Sequence, residues 1–297
     1  MTVAEIGAER VLGAGCYLGE GPVWDDRDGT LLFVDIEAGV VHRYDPSSGR
    51  DERFEVGGAV GSVGLRADGG LVIARGEGFV CSDRSCGALD RVPGFSIDTA
   101  TVRFNDGEVD PWGRFVVGTM DRGHSSPLGS LYRLDVDGSV DVLVTGVTIS
   151  NGLAWSADRA RLYYVDSPTG RVDVFDVDPG TGEMGGRRGA FAVPGDLGMP
   201  DGLTLDAEGC LWVACFGGGR VCRFTPRGEL DTVVRLPVSC VTSVAFGGSR
   251  LADLYVTTAQ EGLDDGQLAA EPYAGDLFVV SPGVTGLAPA RFGAVTP

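Results

Sequence analysis

Lysine is absent from this chain. All 24 basic residues are arginines, which excludes Schiff-base chemistry and any phosphate loop built on a lysine. Histidine is almost absent too: only His42 and His124 occur. His42 lies in the alternating stretch GVVHRYD and is expected on its polar face. His124 lies in the loop DRGHSSP. No G-x-S-x-G elbow and no H-E-x-x-H motif is found, so a histidine-based triad has little to rest on. The seven cysteines, Cys16, Cys81, Cys86, Cys210, Cys215, Cys222 and Cys240, form no C-x-x-C pair. That argues against a zinc site or a redox dithiol. They read as free thiols packed as small apolar groups, with Cys81 and Cys86 the one pair near enough in sequence to bridge in an oxidising compartment.

Long apolar runs are also missing. Nothing approaches the roughly 18 continuous apolar residues of a membrane span. The opening MTVAEIGAERVLGAG has neither a basic nor a long apolar region of a secretion signal, so a cytoplasmic location is expected. Positive charge is scarce: 42 acidic residues face the 24 arginines, for a formal charge of −18. No basic cluster reverses this locally, so neither nucleic acid nor a membrane is an expected partner.

What the chain does have is glycine, 48 residues of it, with 15 prolines, as fits many short strands joined by turns. The stretch ISNGLAWSADRARLYYVD is one copy of a repeat. A polar residue precedes a short apolar run, then comes a turn rich in Asp and Gly, then a second apolar and aromatic run. Copies begin at Glu20, Ser62, Asp106, Asn151, Asp201 and Thr242, spaced by 42, 44, 45, 50 and 41 residues. Further strands such as GVVHRYD, GSLYRLD, GRVCRFT and GDLFVVS follow within the copies. A period of about 40–50 residues with four strands per unit predicts a β-propeller. The expected architecture is all-β, six four-stranded blades around a central channel, in a single domain over residues 1–297. The stretch AERVLGAGCYL is expected to supply an outer strand to the last blade and so close the ring. Trp24 and Trp155 hold equivalent places in their copies and are expected to fill the space between blades rather than contact a substrate.

In a propeller the first strand of each blade lines the channel, so the six starting residues should stand at one rim. All six bear side-chain oxygen and three are carboxylates. Asn151 therefore reads as an oxygen donor at the channel mouth, although Asn-Gly ordinarily marks a hairpin turn. Clustered carboxylates with no lysine beside them call for a cation. Oxygen donors suit a hard divalent ion: Ca²⁺, Mg²⁺ or Mn²⁺, with Zn²⁺ or Fe²⁺ also possible in catalysis. The acidic stretches DDRDG and LDVDGS fit the EF-hand spacing only in part and read as turns.

The stretches GEGPVWD, LLFVDI, RFNDGEVDPWGRFVVGTM, ISNGLAWSAD, MPDGLTLDAEGCLWVACFGGGRV and GLAPARFG, in this order, resemble the SMP-30/gluconolactonase (regucalcin) family over nearly the whole chain. The resemblance implies a six-bladed propeller that hydrolyses sugar lactones with a bound divalent metal. It places the metal ligands on Glu20, Asn151 and Asp201, with Asp201 also the catalytic base, or a metal-held hydroxide in its stead. Substrate contacts fall on Arg103 and Asn105. A further acidic contact is expected just after GTM, where Asp121 stands, although here the run continues Arg122-Gly123. The expected partner is a small sugar lactone of the gluconolactone, xylonolactone or arabinolactone type, acted on by a monomer or weak homodimer. A calcium-dependent phosphotriester hydrolase, or a non-enzymatic calcium-binding propeller, would be the other readings of the same scaffold.

Overall fold

The computed structural model describes residues 3–295. Six antiparallel sheets stand in a ring. Blade 1 comprises Gly19–Asp25, Thr30–Asp35, Val40–Asp45 and Arg50–Glu55, in order from the channel outward. The inner strands of blades 2 to 6 are Val60–Leu65, Val102–Val109, Ser150–Trp155, Met199–Leu205 and Val241–Gly247. Each inner strand packs against the next, and the sixth packs against the first. The protein is a six-bladed β-propeller, as the repeat predicts.

The N-terminal segment serves two blades. Glu9–Leu12 pairs antiparallel with Leu277–Val280 and forms the outermost strand of blade 6. Just before it, Ala4–Gly7 pairs in parallel with Leu230–Arg235 and adds a fifth strand to blade 5.

Apolar alternation along the strands produces six buried clusters, one at each interface between neighbouring blades. Burying a Val, Leu or Phe side chain is worth about 1.5–3 kcal/mol, so every interface holds on its own account. Trp24 packs between blades 1 and 6, stacked on Tyr255 with ring centroids 5.8 Å apart. Trp155 is buried between blades 3 and 4. His42 departs from expectation. It is 3% exposed, its Nδ1 is 2.9 Å from Asp51 Oδ2, and it stacks on Phe33. A blade is covered by neighbours on both faces, so the polar phase of the alternation is not the wet one here. All seven cysteines are free, and Cys81 and Cys86 do not bridge.

All six inner strands share an irregularity. Each carries one extra residue relative to its partner strand, at Glu20/Val23, Val60/Ser62, Phe104/Gly107, Ser150/Leu153, Pro200/Leu203 and Val241/Ser243. Such bulges re-aim side chains and bend the strand. They fall at or beside the six residues that begin the repeats. Glycine follows several of these residues because the strands approach closely near the axis. A Cβ on Gly152 would stand 2.7 Å from Asp201 O, and one on Gly202 would stand 2.1 Å from Ser243 Oγ.

The far end of the channel is crossed by the C-terminal segment. Gly286 bridges to Asp206 and Phe292 to Arg66, while Arg291 Nη2 donates to Asp25 Oδ1 at 2.8 Å. These partners all lie at the end of a first strand or in the turn that follows it, opposite the mouth.

Candidate functional site

The bulges bring Glu20, Asn105, Asp106, Asn151 and Asp201 to one end of the channel, where all five are buried, 3–8% exposed. Ser62 and Thr242 do not join them as mouth donors. Ser62 Oγ donates to Gly107 O at 2.7 Å, and Thr242 Oγ1 donates to Gly19 O at 2.6 Å. Both hydroxyls are fully buried and tie one inner strand to the next. The expected ring of six converging oxygens is therefore smaller: these two starting residues brace the ring instead.

The carboxylates feel one another. Burial lifts Glu20 well above the usual carboxylate range, and the charge of Asp106 lifts it further. Burial does the same to Asp201, helped by Glu20 and then Asp106. Burial pushes Asp106 up to about 6. Their protein hydrogen bonds are few. Glu20 Oε2 accepts the Gly21 N–H at 2.9 Å, and Asp106 Oδ1 accepts the Gly107 N–H at 2.8 Å. Asp201 Oδ1 is buried with no hydrogen-bond partner. A buried carboxylate oxygen without a partner is costly. A hard cation supplies what is missing, both charge and a contact for that oxygen, so these residues fit a divalent metal. Among the described residues no three Asp, Glu, His or Cys side chains could enclose an ion unaided. The residues that could hold one at the mouth are two carboxylates, Glu20 and Asp201, with the amide oxygen of Asn151.

A line of hydrogen bonds runs from the rim to this set. Arg103 Nη1 donates to Asn105 Oδ1 at 2.6 Å. Asn105 Nδ2 in turn donates to Ser150 O at 2.7 Å and to Asn151 Oδ1 at 3.1 Å. Asn151 Nδ2 donates to Ser167 Oγ at 2.9 Å, which fixes its amide oxygen toward Asn105. That oxygen has a second lone pair to offer. Arg103 is 4% exposed, and its Nε lies 3.1 Å from Glu37 Oε1.

Asp121 is occupied by its own loop. Its Oδ2 accepts the N–H groups of Ser125 and Ser126, at 3.1 and 2.8 Å. It closes the second strand of its blade as Asp35 and Asp166 close theirs. Those two also accept backbone N–H groups of an adjoining connection, at Tyr17 and Leu18 and at Thr148 and Ile149. Three blades thus end their second strand in an aspartate that holds backbone N–H groups, Asp121 those of the loop after it and the other two those of the connection before the inner strand.

Below the mouth the channel widens into a cavity of about 290 Å³. Trp24, Leu65, Leu153 and Trp155 are among its walls, and Leu287 and Pro289 of the C-terminal segment close it. Glu108 faces this cavity with no side-chain hydrogen bond to any described residue, and burial, aided by Asp106, pushes it up to about 8. Sequence reasoning missed Glu37 and Glu108, since neither begins a repeat.

The family description "SMP-30/Gluconolactonase/LRE-like region" matches residues 18–260. The chain belongs to this family. It is 42% identical to regucalcin of Xenopus laevis over 98% of this chain and 99% of that one. Among solved structures, a calcium-binding protein, regucalcin, from Agrobacterium tumefaciens superposes with a TM-score of 0.93. It is 29% identical, with 99% of this chain and 100% of that one covered. A luciferin-regenerating enzyme superposes at 0.86 with 34% identity, covering 97% and 99%. These family members share the propeller frame that holds the mouth. No helix of the described residues is long and apolar enough to cross a membrane.

Proposed function

We propose that the channel mouth is the active centre of a divalent-metal-dependent sugar lactonase. The observation that carries the proposal is the unpartnered, buried Asp201 Oδ1 beside Glu20, with a guanidinium and two amides in a hydrogen-bonded line next to it. Glu20, Asn151 and Asp201 would hold the metal. When bound, it would polarise an ester carbonyl as a Lewis acid and offset the charge that develops there. Ca²⁺ is the first ion to try, since the Agrobacterium relative is described as calcium-binding.

The chain's own residues divide the remaining work. Asp201 takes a proton from the attacking water as the new C–O bond forms at the lactone carbonyl. It returns that proton to the ring oxygen as the ring C–O bond breaks, which leaves the open-chain aldonic acid. Burial and the neighbouring carboxylates raise Asp201, an effect that the bound cation would offset, so it would stand as a carboxylate, with a metal-held hydroxide as the other source of the attacking oxygen. Arg103 donates hydrogen bonds to substrate hydroxyls, and Asn105 fixes both Arg103 and the Asn151 amide. Asp121, whose Oδ2 also holds the loop that follows it, would supply a further acidic contact to the substrate. The chain is read as a cytoplasmic monomer or weak homodimer acting on a free small molecule.

The experiment is a pH-stat panel of gluconolactone, xylonolactone, arabinolactone and a phosphotriester, each run with a series of divalent ions and with a chelator. Metal-dependent opening of a sugar lactone supports the proposal. Preference for the phosphotriester, or metal retention with no turnover on any ester, refutes it.

A further inference from the structure

The arrangement around Arg103 reaches past the metal centre. Its guanidinium has five N–H donors in a fixed fork. Nη1 is spent on Phe104 O at 3.1 Å and Asn105 Oδ1 at 2.6 Å. Nε faces Glu37 Oε1 at 3.1 Å. Nη2 makes no hydrogen bond to any described residue, and neither does Glu37 Oε2. The Arg103 side chain is 4% exposed, whereas that of Glu37 is 34% exposed.

The pair spans an unusual gap. Glu37 sits in the turn between the second and third strands of blade 1, and Arg103 is the second residue of the inner strand of blade 3. Blade 2 lies between them, and the chain enters it through Gly57-Gly58-Ala59. The blade 1 turn presses on this entry so closely that a Cβ on Gly39 would lie 2.4 Å from Gly58 O. Small residues keep that stretch of rim low, and the ion pair passes over it.

We propose that Glu37 is a positioning residue for Arg103 and that the two together recognise a vicinal diol on the substrate. The inference rests on the lactonase reading and adds its specificity. A vicinal diol offers one hydroxyl oxygen to accept from Arg103 Nη2 and a neighbouring O–H to donate to Glu37 Oε2. A donor fork beside an acceptor carboxylate matches that pair, whereas an unsubstituted lactone ring gains nothing from it. The pairing also cancels the arginine's charge. The site thereby favours a neutral polyol lactone over its anionic, ring-opened product.

The test compares parent, E37Q and E37D on glucono-δ-lactone and on δ-valerolactone, which lacks hydroxyls, with gluconate as inhibitor. E37D keeps the charge but shortens the reach to Arg103. The expected result is a loss of about tenfold in kcat/KM on gluconolactone, the size of one good hydrogen bond to a charged group, with δ-valerolactone changed less than twofold. Gluconate should inhibit E37Q more strongly than the parent, because Arg103 then loses the foremost of the carboxylates that offset its charge, Glu37 ahead of Glu261 and Glu20, and should inhibit E37D little more than the parent. An equal loss on both lactones, or none on either, overturns the inference while parental turnover upholds the lactonase reading. A parent inert on every lactone overturns that reading first, and the role of Glu37 falls with it.

Discussion

At the scale of single residues, the two most informative side chains are carboxylates without protein partners. Asp201→Asn keeps the shape of the mouth and removes the base. It is expected to lower kcat on the best lactone by about 10²-fold or more with the circular dichroism spectrum unchanged, and parental turnover would refute the role. Glu108 makes a different prediction, in stability. Its folded-state pKa of about 8 lies above the usual glutamate value, so the folded protein binds its proton more tightly than the unfolded chain does. The stability this group permits is present below about pH 4.5 and is lost as pH rises to about 8. Glu108→Gln carries no such loss. In urea titrations its advantage over the parent should grow from near zero at pH 4.5 to on the order of 2–4 kcal/mol at pH 9. A difference that stays flat with pH would show that Glu108 is solvated in the channel. Neither Glu108 nor Glu37 could be singled out from the sequence, because what sets Glu108 apart is its burial in the folded channel and what sets Glu37 apart is an arginine two blades away.

At the scale of elements, the inner-strand bulge is the unit that builds the site. It lets a polar residue leave the sheet's alternation and face the mouth, and the glycine after it lets two inner strands touch. Gly202→Ala places a methyl 2.1 Å from Ser243 Oγ and is expected to cost about 1–3 kcal/mol. Its thermal midpoint should drop by several degrees, while Gly195→Ala, open to solvent with nothing near its Cβ, should leave it almost unchanged. The sequence carried the repeat clearly, because its period is long and each copy shares the polar start, the Asp-Gly turn and the second apolar run. It carried Glu20, Asn151 and Asp201 as a set for the same reason. It could not carry the bulges, since one extra residue in a strand looks like ordinary variation. That is why Asn151-Gly152 resembles a hairpin turn and why Ser62 and Thr242 were grouped with the mouth. Asp121 was legible as an acid after GTM, but its hydrogen bonds to the Ser125 and Ser126 N–H groups were not, because they depend on how the following loop folds back.

At the scale of the whole molecule, the mouth draws side chains from four blades: Glu20 from blade 1, Arg103 and Asn105 from blade 3, Asn151 from blade 4 and Asp201 from blade 5. An ion held by Glu20, Asn151 and Asp201, as proposed, would cross-link three of them. A divalent cation at a hundred times its dissociation constant should therefore stabilise the protein by about 2.7 kcal/mol. Scanning calorimetry would register this as a rise in Tm that a chelator reverses and that Asp201→Asn abolishes. A rise that survives in Asp201→Asn would place the ion elsewhere.

The double duty of the N-terminal segment has a consequence for biosynthesis. Ala4–Gly7 and Glu9–Leu12 leave the ribosome long before their sheet partners, Leu230–Arg235 and Leu277–Val280, are translated. At about 5–20 residues per second, these strands wait on the order of ten seconds or more with their amides unclaimed. For that interval the nascent chain depends on the charges of Glu5, Glu9 and Arg10 to keep its leading edge from pairing with a stranger.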